Sequence, residues 1–269
     1  MPANEAVDLG RVTEVLAAGV REAGVLAKSM FGTSLKSWTK GESSPVTEAD
    51  IAADRLLRER LIGGGSEIAW LSEESADDPA RLAARYVWIV DPIDGTRAYM
   101  AGLPDWAVSV ALVEHSRPIV ACLYAPVTEE FFMAVAGRGA TCNGVAISAT
   151  GGTTLKAARF AGPKSFLERI ASVAPPFTVV PRVRSLALRL ARVAQGAYDV
   201  AIAGANSHDW DLAAADLLVH EAGGAFTRVG GETVTYNLPV LKHGVLVAAG
   251  RDRHATLIDL LKDRRIESA

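Results

Sequence analysis

Cysteine is almost missing from this chain. Its 269 residues hold two, Cys122 and Cys142. That is no disulfide framework and no metal-ligand pattern. Both read as reduced and buried, which sets the expectation of a cytoplasmic protein. Long apolar runs are missing too, so no bilayer-spanning segment is expected. The first residues carry Glu5 and Asp8 and lack a charged-then-apolar signal pattern. There is no basic block, and the net charge is −3. Both argue against a nucleic-acid polymer as partner, though not against a small anion held locally. No internal repeat or low-complexity segment is visible. What is present suits a turn-rich globular enzyme: 49% apolar residues, 24 Gly and 12 Pro. The length allows one large domain or two smaller ones.

The stretch that organises the rest is Asp91-Pro92-Ile93-Asp94-Gly95-Thr96. It follows Tyr86-Val87-Trp88-Ile89-Val90, a buried-strand pattern. Two carboxylates then fall in a tight turn at a strand's end. Pro92 fixes φ, and Gly95 allows backbone to approach a ligand closely. A helix begun past Thr96 would aim free amides at an anion. Carboxylates for a hard cation and amides for phosphate are the parts that metal-assisted phosphoryl transfer needs. The plainer reading is an ordinary turn with Asp as turn former.

Apolar spacing over 5–30 predicts an amphipathic helix. Residues 31–45 read as a loop containing Lys36 and Lys40, with Lys40 either solvated or reaching an anion. Thr47 is an N-cap candidate with Asp50 three residues on, a capping-box variant. Alternatively Asp50 faces a cation or a water. The helix runs to Leu61 and stops at Gly63-Gly64-Gly65. A short strand over 67–71 ends in Ser72-Glu73-Glu74-Ser75. These glutamates are either solvated or, like Asp91, acids at a strand end that lie side by side with it. Residues 77–85 form a polar connection.

Beyond the central turn, β-prone runs at 107–113, 118–124, 131–136 and 145–147 predict an antiparallel meander. His115 reads as a turn residue, and Glu129 and Glu130 as solvent-facing. Residues 150–153 are the candidate hinge between a domain over 1–150 and one over 151–269. The second half predicts strands at 158–161, 178–180, 197–202, 225–228 and 245–249. Helices are expected at 164–173, 185–195, 209–222 and 254–264. This alternation suggests an α/β half with a mostly parallel sheet. In Ser207-His208-Asp209-Trp210-Asp211, Asp209 is the natural cap and Trp210 packing. Asp211 is either a helix-start acid or one that completes a cation site.

Together, Val46-Thr-Glu-Ala-Asp50, Ser72-Glu73-Glu74-Ser75, Asp91-Pro-Ile-Asp-Gly-Thr96 and Trp210-Asp211 resemble the inositol monophosphatase superfamily in order and spacing. These are magnesium-dependent, lithium-sensitive phosphomonoesterases. The resemblance spans about residues 10 to 250. It implies a layered α-β-α-β-α sandwich of mixed α/β class, an α+β half followed by an α/β half, often as a homodimer. By position it implies that Glu73, Asp91 and the Ile93 carbonyl hold one metal. Asp94 and Asp211 hold a second, with Asp91 bridging. Gly95 and Thr96 would receive phosphate through their amides. Asp50 and Thr96, with Glu73, would orient the attacking water. Two or three Mg²⁺ ions would neutralise the phosphate ester and acidify a bound water, with no phosphoenzyme. An acid-rich set without His or Cys fits Mg²⁺ better than zinc.

The expected substrate is a small phosphorylated metabolite. Inositol enzymes usually carry a glutamate where this chain has Gly204, and Gly-Thr-Ala where it has Arg184-Ser185-Leu186-Ala187. Arg189 falls where the 3′(2′),5′-bisphosphate nucleotidases tend to carry a lysine. It is either a second-phosphate contact or a solvated helix arginine. Ser44-Pro45-Val46-Thr47 and Leu71-Ser72-Glu73-Glu74 also look like that branch. The expectation is therefore 3′-phosphoadenosine 5′-phosphate, contacted by Ser185, Arg189 and the space at Gly204. Inositol 1-phosphate comes next, then histidinol phosphate or a sugar phosphate. A non-catalytic phosphate-ligand sensor is the alternative of another class.

Overall fold

A computed structural model describes residues 7–34, 36–40, 44–62 and 68–262. The chain opens with α1 (Leu9–Met30), capped by Asp8, whose carboxylate accepts from the Gly10 and Arg11 amides. The cap explains why the helix begins later than its apolar spacing suggested. Its buried face, Leu16, Val20, Ala23 and Ala27, packs on a sheet. Gly24 lets it come close, since a Cβ there would lie 2.3 Å from the Tyr124 ring.

The segment expected to be a loop holds two short strands, β1 (Ser37–Lys40) and β2 (Ser44–Thr47), paired antiparallel. They are too short to show an apolar alternation. Next come α2 (Glu48–Ile62) and β3 (Ala69–Ser72). The expected glycine stop at 63–65 lies outside the described residues, as does Glu67. A 3-10 turn, Pro79–Ala83, leads into β4 (Tyr86–Asp94), buried at all nine positions. The strand therefore runs on through Pro92 and Asp94, where a tight turn was expected. Its register against the following strand shifts between Asp91 and Asp94.

Gly95 and α3 (Thr96–Met100) lead to the meander: β5 (Ala107–Glu114), β6 (Arg117–Ala125), β7 (Glu130–Val135), β8 (Ala140–Cys142) and β9 (Val145–Ala146). In order β3-β4-β5-β6-β7-β8-β9 these make one sheet, antiparallel except for β3 with β4. His115 takes the left-handed turn conformation at φ 47°. Glu130 departs from the solvent-facing expectation: it pairs with Arg192 at 2.9 Å.

Beyond residue 158 lie β10 (Arg159–Ala161), α4 (Lys164–Ala171), β11 (Thr178–Val179), α5 (Leu186–Ala194) and β12 (Val200–Ala203). They are followed by β13 (Ser207–His208), α6 (Asp209–Glu221), β14 (Gly224–Arg228), β15 (Lys242–His243), β16 (Leu246–Gly250) and α7 (Arg251–Leu261). The second sheet runs β11-β10-β12-β16-β14. It is mixed rather than mostly parallel: β10 is parallel to β11 and β12, while β16 is antiparallel to β12 and β14. The irregular segment 229–241 separates β14 from β16, and no helix there returns the chain for a parallel crossover.

Helices α5 and α6 lie between the sheets. One apolar cluster joins Val87, Leu123 and Phe132 of the first sheet to Leu188 and Leu218 of the helices, and to Ala201 and Leu246 of the second. Helix α1 and α2 cover the outer face of the first sheet, and α4 and α7 that of the second. The architecture is a layered α-β-α-β-α sandwich.

Candidate active site

Parallel pairing of β3 and β4 sets the site's first two acids. Ser72 lies opposite Val90, so the next residues, Glu73 and Asp91, leave the sheet together. The Glu73 amide donates to the Val90 carbonyl at 3.2 Å. Asp91 is bent back on its own strand, its Oδ1 accepting from the Ile93 amide at 3.0 Å. Asp94 accepts from Ser185 Oγ at 2.5 Å and the Ala187 amide at 2.6 Å. Asp211 comes from the first turn of α6, where Oδ2 accepts from the His208 amide at 2.7 Å. His208, not Asp209, stands at the N-cap position. Asp209 turns away to accept from the Asn237 amide at 2.7 Å, and its other oxygen lies 2.6 Å from His243 Nε2.

Oxygens of Asp91, Asp94 and Asp211 all lie within 4.8 Å of one another. Glu73, Gly95 and Thr96 line the same cavity, of about 380 Å³, and Arg182 and Arg184 stand at its wall. Gly95 adopts φ 98°, and a Cβ there would lie 2.8 Å from the Asp105 carbonyl. Only glycine fits that junction, which brings the start of α3 up to the cavity.

Thr47 and Asp50 form the expected box at the start of α2. Thr47 Oγ1 accepts from the Ala49 amide, while Asp50 Oδ2 accepts from the Thr47 amide and hydroxyl at 2.8 and 2.6 Å. The other Asp50 oxygen accepts from Thr96 Oγ1 at 3.2 Å. Thr96 Oγ1 also lies 3.1 Å from the Ile93 carbonyl. One carboxylate thus caps a helix and reaches the cavity's threonine.

Burial raises the Asp91, Asp94 and Asp211 carboxyls above the ordinary range. Repulsion from Glu73, Asp94 and Asp211 adds to this at Asp91. The bonds from Ser185 and Ala187 work against it at Asp94. Burial likewise raises Asp50, opposed by Thr47 and Thr96. Buried acids that repel one another are costly unless a cation sits among them. Hard oxygen donors without nitrogen or sulfur fit a divalent ion such as Mg²⁺.

The residues expected at the substrate divide. Ser185 is fully buried, and its hydroxyl is spent on Asp94 and on the Leu188 amide. It supports an acid and offers no surface to a ligand. Gly204 lies near Pro163, 3.4 Å from where its Cβ would stand. Arg189 is not a solvated helix arginine: it is 9% exposed. Sequence reasoning passed over Asp54, one turn beyond Asp50, which accepts from Ser72 and Ser75 and so holds the turn that carries Glu73. Its signal was the i, i+4 spacing from Asp50. It also passed over a strap of Arg81, Asn237 and His243 around Asp209, whose members lie far apart in the chain.

An acid cluster between two sheets, beside helix-start amides, defines a protein that handles phosphate through a divalent cation. The comparisons agree. Residues 8–265 match the model of the inositol monophosphatase family, and the chain belongs to that family. Its members are phosphomonoesterases. The chain is 31% identical over 244 residues to an inositol-1-monophosphatase of Caulobacter vibrioides, covering 86% of this chain and 92% of that one. It is 32% identical over 221 residues to a histidinol-phosphatase of Mycobacterium tuberculosis, covering 77% and 83%. The crystal structure of the extragenic suppressor protein suhB from Bartonella henselae superposes with a TM-score of 0.83 at 27% identity, covering 94% and 99%. Differently named relatives at similar identity leave the substrate to the site's own chemistry.

Proposed function

We propose that the chain is a Mg²⁺-dependent phosphomonoesterase whose substrate is a 3′(2′),5′-bisphosphate nucleotide, 3′-phosphoadenosine 5′-phosphate foremost. The convergence of Asp91, Asp94 and Asp211 beside Glu73 carries the phosphatase reading. Glu73, Asp91 and the Ile93 carbonyl would hold one ion, and Asp91, Asp94 and Asp211 another, of two to three ions proposed in all. Magnesium bound there supplies positive charge for the phosphoryl oxygens and acidifies water. The Gly95 and Thr96 amides receive the phosphate. Thr96 Oγ1 accepts a hydrogen from the attacking water and passes its own to Asp50 Oδ1. Glu73 holds that water in line. The water oxygen bonds to phosphorus and the bond to the ester oxygen breaks; the leaving alkoxide takes a proton from solvent water to become the alcohol, and Asp50 returns its proton to solvent. Ser185 keeps Asp94 pointed inward.

Gly204 supports the nucleotide over a polyol, because no carboxylate stands there to take ring hydroxyls. Inositol 1-phosphate is the second reading, favoured by the name of the Caulobacter relative. Cytoplasmic location, lithium inhibition and a homodimer accompany the proposal; among the described residues no helix is long and apolar enough to cross a membrane. A side-by-side assay on 3′-phosphoadenosine 5′-phosphate, inositol 1-phosphate and histidinol phosphate tests the substrate. Release of phosphate should require Mg²⁺ and fall with Li⁺. Asp91→Asn should lower turnover by at least about 10³-fold with an unchanged circular dichroism spectrum. Undiminished turnover in that variant would remove the metal assignment.

A further inference from the structure

The cavity that holds the acids also has a cationic wall. Arg97, Arg182 and Arg184 line it together with Glu73, Asp91, Asp94 and Asp211. Cations among the acids offset the acids' own charge. Charge that meets a phosphate ester outside that cluster therefore has to come from the arginines.

Two of the three share one piece of chain, the segment between β11 and α5. Val183 is buried there, 4% exposed, while Arg182 and Arg184 on either side of it are exposed. The core holds the middle residue and leaves both guanidinium groups at the cavity wall. The segment is tied at each end. The Val180 amide donates to the Phe160 carbonyl at 2.9 Å, and the Ser185 amide to the Asp105 carbonyl at 3.1 Å. Asp105 also faces Arg184, with 3.7 Å between Oδ2 and Nη1, and offsets part of its charge. Arg182 forms no ion pair within 4 Å among the described residues. A cation on a flat surface is screened by water, whereas the low-dielectric walls of a cleft focus its field.

We propose that Arg182 and Arg184 form a capture arm, which draws the phosphate group of the substrate to the cavity and retains it ahead of the acids. Arg182, with no acid beside it, contributes more than Arg184. The arm rests on the phosphatase reading above and is indifferent to the alcohol that the phosphate carries. It acts by charge over a distance, so it speeds association and leaves the chemical step alone. Inorganic phosphate, the product, feels the same pull.

The test varies salt at saturating magnesium, on whichever of the three esters the enzyme cleaves fastest. Raising the ionic strength from about 0.01 M to about 1 M shrinks the screening length from about 30 Å to about 3 Å. Over that range wild-type kcat/KM should fall by about tenfold or more, the low end of electrostatic steering. The double variant Arg182→Gln/Arg184→Gln should match the wild type at high salt and lie about tenfold below it at low salt. Its kcat should stay close to the wild-type value. Arg182→Lys/Arg184→Lys should follow the wild type, because a point charge is enough. Calorimetry with inorganic phosphate on the magnesium-loaded protein should show the same pattern, weaker binding to the glutamine pair at low salt and equal binding at high salt. A glutamine pair that keeps the wild-type salt slope, or whose loss falls on kcat, overturns the arm and leaves the phosphatase reading standing. An equal loss in the lysine pair overturns capture by charge in the same way. Hydrolysis of none of the three esters by the wild-type protein overturns the phosphatase reading, and the arm with it.

Discussion

His254 shows what burial does to a single side chain here. It is 6% exposed, its Nε2 lies 3.0 Å from Thr227 Oγ1, and burial, with His220 nearby, pulls its pKa down to about 4. Below about pH 6.5, the usual histidine value, the unfolded chain takes up a proton that the folded chain refuses. Stability held above pH 6.5 is therefore lost as pH falls towards 4, by at most about 3 kcal/mol. His220 acts in the opposite sense. Its pKa is raised by Asp216, despite burial, so its contribution is present at low pH and lost as pH rises through its folded value. Urea midpoints at pH 7 and pH 5 should diverge more in the wild-type protein than in His254→Gln. Equal divergence would show that the loss arises elsewhere. Legibility at this scale was uneven. The acids were visible because each sits at a strand end or a helix start, where sequence has clear marks. The fate of Arg189 was not, since a helix arginine looks the same whether its neighbours across space are water or Pro163.

Between elements, the start of α6 is held by more than its own turns. Asp209 accepts from the Asn237 amide and contacts His243. The Asn237 side chain in turn accepts from Arg81, which pairs with Asp77. This strap runs from the segment between Glu73 and β4 to the helix that carries Asp211. It fixes the distance between acids that share no strand. Asp209→Asn should keep the fold yet raise the magnesium concentration for half-maximal activity by about tenfold, with kcat recovered at saturating magnesium, as expected for groups that orient metal ligands. A loss of kcat that magnesium does not restore would place Asp209 elsewhere in the mechanism. Local pattern could not reveal this strap, nor the mixed order of the second sheet. Both depend on the irregular chain over 229–241, which has no periodicity to read. The buried run before Asp91 and the Thr47–Asp50 box, by contrast, declared themselves locally.

For the whole molecule, the division near residue 150 proposed from Thr150-Gly151-Gly152-Thr153 meets an apolar cluster that ignores it. Leu71, Leu123 and Phe132 share that cluster with Leu188, Leu218 and Leu246. The two halves complete each other's cores. We expect one unfolding transition by circular dichroism and tryptophan fluorescence, and no cooperative transition from a fragment ending at residue 150. Two separate transitions would show independent halves. The strands and helices of each half were legible from local pattern, while their layering was legible only through the resemblance of the acid motifs to a known family. The shared interior was not, because it is made by faces of α5 and α6 whose partners lie far off in sequence.

The side-by-side exit of Glu73 and Asp91 has a consequence for how such a chain tolerates change over generations. Nothing in the pairing of β3 with β4 counts the residues of the connection, but Asp77 and Arg81 anchor its first part to Asn237, so only the part after Arg81 is free to lengthen. Within β3 the same insertion would turn every following side chain to the opposite face and carry Glu73 about 3.3 Å along the strand. Insertions should therefore accumulate between Arg81 and β4 and stay out of the four residues before the acid.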